Sequence, residues 1–179
     1  MSYDLNNPRT LATTGIMTAL VLGLTLIHLA ISPIGGYVHL GDIAIYFTAF
    51  AFGPWAGLIA GGLGTALADV VSGYAIFAPL SLVVHGLQGL LAGLIVWRHP
   101  SAARVALATV VGGLVLVAGY YIGEALIPVF GGPAVALSEV PFNVVQAVFG
   151  ALGAVVYAAV ARAYPALGQT APPPTFPTE

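Results

Sequence analysis

Titratable side chains are scarce in this chain, so the few present mark where chemistry can occur. Its 179 residues include six carboxylates, four histidines and four arginines, with no lysine and no cysteine. Asp42 follows Gly41 at the start of an apolar run, where a carboxylate can cap a helix or hold a ligand. Asp69 lies near the C-terminal end of the next run, where the helix dipole disfavours negative charge. An acid at that depth needs a partner or water, and buried acids in membrane helices mark functional sites. His85, His39 or Tyr74 could supply the partner. His85 and Gln88 stand at i and i+3 and share a helix face, which suits an interhelical hydrogen bond or a ligand contact.

Glu124 closes a later run beside Tyr120 and Tyr121, and Glu139 opens the last one. There Ser138 resembles an N-cap, and Glu139 and Pro141 read as first-turn residues. Asn143 and Gln146, again at i and i+3, put a polar strip on an otherwise apolar helix, which points to a pocket lining or a helix contact. Tyr37, Tyr74, Tyr120 and Tyr121 could stack on a flat heterocycle. Tyr3, Tyr37, Tyr74 and Trp55 also suit anchors at a membrane interface, the commoner fate of such aromatics.

Most enzymatic chemistries lack support. The chain has no Gly-x-Ser-x-Gly elbow, no His-Glu-x-x-His, no glycine-rich phosphate loop with lysine, and no lysine for a Schiff base. Ser72 or Ser81 with His85 matches no nucleophile motif, and the scattered histidines lack metal-ligand spacing. No catalytic residue, metal or cofactor is therefore expected. The formal net charge of -2 and the missing lysines leave no basic surface for nucleic acid.

The elements that position these residues follow from the gaps between charges. Only 6% of residues are charged and 59% are hydrophobic, far from the roughly 25% charged of a soluble domain. There are 32 uncharged residues between Arg9 and Asp42, 26 between Asp42 and Asp69, and 28 between Asp69 and Arg98. Apolar runs of about 18 or more residues are candidate transmembrane helices. Breakers divide the chain into spans at about 10–32, 39–53, 55–72, 78–97, 103–127 and 138–163. Gly53-Pro54 splits the second from the third, with Pro54 suited to the first position of a helix. The first run ends without a small-residue cleavage pattern, so it is expected to be retained.

Six spans place Arg9, Arg98, Arg104 and Arg162 together on one side, whereas five spans separate Arg9 from the rest. The positive-inside rule favours six, with both termini cytoplasmic. Asp42, Asp69, Glu124 and Glu139 then gather at the outer face, beside connections rich in glycine, proline and aromatic residues. The expected fold is an all-α membrane protein, a six-transmembrane-helix bundle over residues 1–164. A Pro-rich disordered cytoplasmic tail follows at 165–179. Small residues recur every fourth position, as in Gly53, Gly57 and Gly61 or Gly89 and Gly93, which suits close helix packing. On the first helix, Gly15, Ala19 and Gly23 suit docking to another membrane protein.

The order of His39-Leu40-Gly41-Asp42, Phe52-Gly53-Pro54-Trp55-Ala56-Gly57, Gly61-Gly62-Leu63-Gly64-Thr65-Ala66-Leu67-Ala68-Asp69, Ser72-Gly73-Tyr74, Ala78-Pro79 and Gly86-Leu87-Gln88-Gly89-Leu90-Leu91-Ala92-Gly93 resembles the S component of an energy-coupling factor (ECF) vitamin transporter. Glu139-Val140-Pro141-Phe142-Asn143-Val144-Val145-Gln146 extends the resemblance, which covers residues about 8–164. It implies a non-enzymatic subunit in a bacterial or archaeal cell membrane that captures a vitamin or related micronutrient at the outer face. A transmembrane T component and two cytoplasmic ATPases would energise uptake. The family's Ala-x-x-x-Ala docking stripe maps onto Gly15 and Ala19, with Gly in place of the first Ala. His85 stands where relatives often carry lysine, exchanging a fixed cation for an imidazole.

Substrate contacts are expected at Tyr37, His39, Asp42, Asp69, Tyr74 and His85, and at Gln88, Tyr121, Glu124, Glu139, Asn143 and Gln146. Four carboxylates and no lysine or arginine at the outer mouth favour a neutral or cationic heterocycle over a polyanion. A small intramembrane enzyme using Asp69 and His85, or a structural membrane subunit, are the competing readings.

Overall fold

The computed structural model describes residues 7–32 and 36–164. The Pro-rich segment 165–179 and the residues before Asn7 lie outside them. Among the described residues, seven helices and one hairpin follow in order: α1 (Pro8–Thr25), β1 (His28–Ile31), β2 (Tyr37–His39), α2 (Gly41–Phe52), α3 (Pro54–Val71), α4 (Ala78–Val96), α5 (Ala102–Leu126), α6 (Pro133–Gly150) and α7 (Leu152–Ala163). A single 3-10 turn, Pro128–Phe130, links α5 to α6. Among the described residues, four helical stretches are long and apolar enough to cross a membrane: Pro54–Val71, Ala78–Val96, Ala102–Leu126 and Pro133–Ala163. α1 carries Arg9 and several threonines, and the 12 residues of α2 extend only about 18 Å.

Three expectations need correcting. The first helix stops at Thr25 rather than near residue 32, because His28–Ile31 leaves the helix and pairs antiparallel with Tyr37–His39. That pairing satisfies the backbone in an extended form, and apolarity alone does not distinguish it from a helix end. The all-helical expectation therefore omits a two-stranded ribbon. The last helix begins at Pro133, five residues early, after Gly131 and Gly132 turn the chain with φ of 93° and 85°. Ser138 consequently lies inside α6, its hydroxyl donating to the Val135 carbonyl at 2.6 Å, and Pro141 is an interior proline. Asp42 is no N-cap either: Leu40 holds that position, and Asp42 sits fully buried in the first turn of α2.

Glycines set the helix spacing. α3 and α4 pack on each other along Gly57, Gly61 and Gly62 against Gly86, Gly89 and Gly93. A Cβ on Gly57 would lie 2.7 Å from the Gly89 carbonyl oxygen, and one on Gly61 would lie 2.6 Å from that of His85. Small residues admit such contacts where lipid supplies no hydrophobic drive between helices. Gly53 turns the chain between α2 and α3 with φ of 97°, and the Trp97 ring leaves no room for a side chain there. The core beyond this seam is aromatic and aliphatic, centred on Tyr46, Phe50, Val96 and Tyr157.

The short connections leave the C-terminal ends of α1, α3 and α5 and the N-terminal ends of α2, α4 and α6 at the hairpin end of the bundle. Asp42, Asp69, Glu124 and Glu139 belong to these ends, while Arg9, Arg98, Arg104 and Arg162 occupy the opposite ones. Gly15, Ala19 and Gly23 are exposed on α1, with no atom within 4 Å of a Cβ placed on either glycine.

Candidate binding site

An open pocket, about 430 Å³ with the solvent space at its mouth included, lies between the hairpin and the ends of α3, α4, α5 and α6. Helix phase explains its lining. Tyr120 and Glu124 are one turn apart on α5, and Glu139, Asn143 and Gln146 lie on one face of α6. Asp69 comes from the last turn of α3 and Ser81 from the first turns of α4. The hairpin closes the remaining side with Ser32, Gly36, Tyr37, Val38 and His39. Phe77 and Phe142 supply apolar wall.

Hydrogen bonds join the hairpin to the helices. The Tyr37 hydroxyl donates to Asp69 Oδ1 at 2.6 Å. Burial and the adjacent carboxylate both push the Tyr37 phenol upward, so it remains a donor. His39 donates its backbone N–H to Gln146 Oε1 at 3.2 Å, and its ring Nδ1 accepts the Gly41 N–H at 3.1 Å. An imidazolium could not accept that bond. Burial lowers the His39 pKa to about 3, against the opposing pull of Asp42, so the ring is neutral. Ser81 Oγ and the Tyr120 hydroxyl share a 2.7 Å hydrogen bond.

A second polar layer lies beneath the pocket. His85 Nδ1 donates to Gln88 Oε1 at 2.9 Å and stands 3.4 Å from Asp42 Oδ1, and all three side chains are fully buried. His39 joins the two layers, its ring centroid 5.3 Å from that of His85 and its Nδ1 3.8 Å from Asp42 Oδ2. Aromatic rings cluster beside the hairpin, with the Tyr37 ring tilted against those of His28 and Tyr74 at centroid distances of 3.8 Å and 4.8 Å.

Seven of the residues expected to contact substrate therefore line the pocket: Tyr37, His39, Asp69, Glu124, Glu139, Asn143 and Gln146. Asp42, His85 and Gln88 form the buried layer below, and Tyr74 packs on Tyr37 outside it. Tyr121 is not among the lining residues, whereas its neighbour Tyr120 is. Helical spacing from Glu124 could have chosen between the two, since i−4 is Tyr120. Ser32, Gly36 and Val38 had no such signal, because the hairpin itself was unforeseen. Asp69 and His85 make their hydrogen bonds to different partners, Tyr37 and Gln88.

Residues 5–162 match the family model of the ECF-type riboflavin transporter, S component. The chain belongs to that family. S components are transport subunits rather than enzymes, and this one is a membrane protein of vitamin uptake. It is 40% identical over 125 residues to an uncharacterised protein of Pyrococcus woesei, covering 70% of this chain and 82% of that protein. It is 32% identical over 149 residues to the thiamine precursor transporter HmpT of Lactococcus lactis subsp. cremoris, covering 82% of this S component and 84% of the relative. A solved S component of a bacterial ECF transporter superposes with a TM-score of 0.69 at 19% identity, spanning 85% of this chain and 95% of that one. That likeness establishes the shared fold.

Proposed function

We propose that this S component captures a vitamin-class heterocycle, neutral or cationic, at the outer membrane face, and delivers it through an ECF-type ABC transporter. The observation that carries the reading is the pocket itself. Asp69, Glu124 and Glu139 line it together with tyrosines and amides, and no arginine or lysine does. Such a lining attracts a neutral or positive ligand and repels a polyanion. The family model bears the name of riboflavin, a flat heterocycle that Tyr37 and Tyr120 suit, and one relative bears that of a thiamine precursor.

The orientation follows from charge. α1 to α5, with α6 and α7 acting as one interrupted span, give six passes, and the four arginines then lie in the cytoplasm with both termini. The pocket faces outward in that arrangement. With no nucleotide motif of its own, the chain depends on a transmembrane T component and two cytoplasmic ATPases. The exposed Gly15, Ala19 and Gly23 stripe of α1 is the proposed contact with the T component. The membrane is that of a bacterial or archaeal cell.

Reconstitution tests this reading. Proteoliposomes holding the chain with a T component and ATPase pair should accumulate a labelled vitamin only when ATP is supplied. Absence of uptake for every vitamin tried, despite an assembled complex, would overturn it.

A further inference from the structure

The end of the bundle opposite the pocket carries every arginine of the chain and, among the described residues, no carboxylate. Arg98, Arg104 and Arg162 border one part of that end. Ile95 lies one turn before Arg98, Val105 follows Arg104 and Ala161 precedes Arg162, and all three pack on the core cluster that holds Val96, Ala108 and Tyr157. The three arginines are exposed, and none makes an ion pair among the described residues. The turn between α4 and α5 is itself held in place. Ser101 Oγ accepts the Arg104 backbone N–H at 3.2 Å, and Arg104 Nη1 donates to the Ile95 carbonyl at 3.5 Å. That second bond keeps the guanidinium beside the turn and engages a single N–H of its fork. Like charges gathered without a counter-charge repel, and a bound anion relieves the repulsion.

The helix surface next to each arginine is apolar. Leu94 stands one turn before Arg98, Leu107 three residues after Arg104 and Val155 two turns before Arg162, each exposed on the face of its arginine. Two indoles mark the same end: Trp55 is half exposed at the start of α3, and the Trp97 ring packs on Gly53. Indoles favour the boundary between headgroups and acyl chains. Cations at that boundary above an apolar wall match a phospholipid, with its phosphodiester on the guanidinium groups and its chains below. A soluble polyanion has no use for the apolar half. A zwitterionic headgroup brings an ammonium to a surface that offers it no carboxylate, so a headgroup with net negative charge is the better match.

We infer that the α4–α5 turn and the end of α7 form a site for an anionic phospholipid. Arg98 and Arg104 take the phosphodiester, and Arg162 adds positive charge at the edge of the site. The lipid fastens this end of the bundle at the membrane boundary, far from the vitamin pocket.

Native mass spectrometry of the full-length protein, released from nanodiscs of equimolar phosphatidylglycerol and phosphatidylcholine, tests the inference. The wild type should retain phosphatidylglycerol over phosphatidylcholine by about 10-fold or more. Arg98→Gln and Arg104→Gln should each lower that retention about 5-fold, the scale of one arginine near an anionic surface. Arg9→Gln, on α1, which packs on α2 and α3, should leave it unchanged. Higher ionic strength should erode the wild-type preference, a readout that stands even if a variant misfolds. Equal retention of the two lipids, or an equal loss with Arg9→Gln, would overturn the inference. So would a melting temperature raised as much by inorganic phosphate as by phosphatidylglycerol, which would assign the arginines to a free anion.

Discussion

The Tyr37 hydroxyl meets Asp69 Oδ1 at 2.6 Å, tying the hairpin to the last turn of α3 at the rim of the pocket. A hydrogen bond to a charged group contributes about 1.5–3 kcal/mol, and losing one partner strands the other. Tyr37→Phe should therefore lower the thermal midpoint of the detergent-solubilised protein and speed proteolysis of the hairpin. Tyr37→Phe with Asp69→Asn should cost less than the two single changes summed. Strict additivity would mean that the contact does not hold the hairpin.

His39 gives a pH dependence with a defined sign. Its pKa in the folded protein, about 3, lies below the ordinary value of 6.5, so folding favours the neutral ring. The associated stability is complete above pH 6.5 and is lost as the pH falls toward 3. Protonation also removes the acceptor used by the Gly41 N–H. The wild-type melting temperature should fall more steeply between pH 6.5 and pH 4 than that of His39→Gln. Parallel pH profiles would assign the acid sensitivity to other groups.

The helix seam separates two kinds of glycine. Gly89→Ala drives a Cβ into the backbone of Gly57, and overpacking of this sort costs about 1–3 kcal/mol. Gly15→Ala meets nothing within 4 Å and should leave the melting temperature unchanged or slightly raised. A scan of both variants checks this, and equal destabilisation would contradict the described packing.

The exposed α1 stripe predicts a separation of assembly from binding. Ala19→Leu adds bulk to an exposed position of α1, so ligand affinity should hold while pull-down of the T component drops by about 10-fold or more. Undiminished pull-down would move the docking surface elsewhere.

Much of this architecture is legible from charge spacing and breakers. Gly53-Pro54 divides α2 from α3 as expected, because a glycine at φ of 97° followed by proline cannot continue a helix. The Gly57, Gly61 and Gly89 spacing likewise reads directly as a helix seam. The hairpin was not legible: His28-Leu29-Ala30-Ile31 is as apolar as the helix before it, and its pairing partner lies beyond the turn. Ser32, Gly36 and Val38 of the pocket wall were missed with it. The polar α6 face was legible from Asn143 and Gln146, but the true helix start at Pro133 was hidden by the resemblance of Ser138 to a cap. The Asp42, His85 and Gln88 layer illustrates a further limit. Residue type marks these side chains as polar in an apolar helix, but only packing reveals that they pair with one another beneath the pocket.

Native mass spectrometry of the gently extracted protein tests the central claim most directly, because a tightly held ligand reports its own mass. A vitamin-class heterocycle should be retained at one copy per chain, and Glu124→Gln should diminish its occupancy. A protein that emerges empty, and stays empty after incubation with the vitamins of this class, would contradict the account.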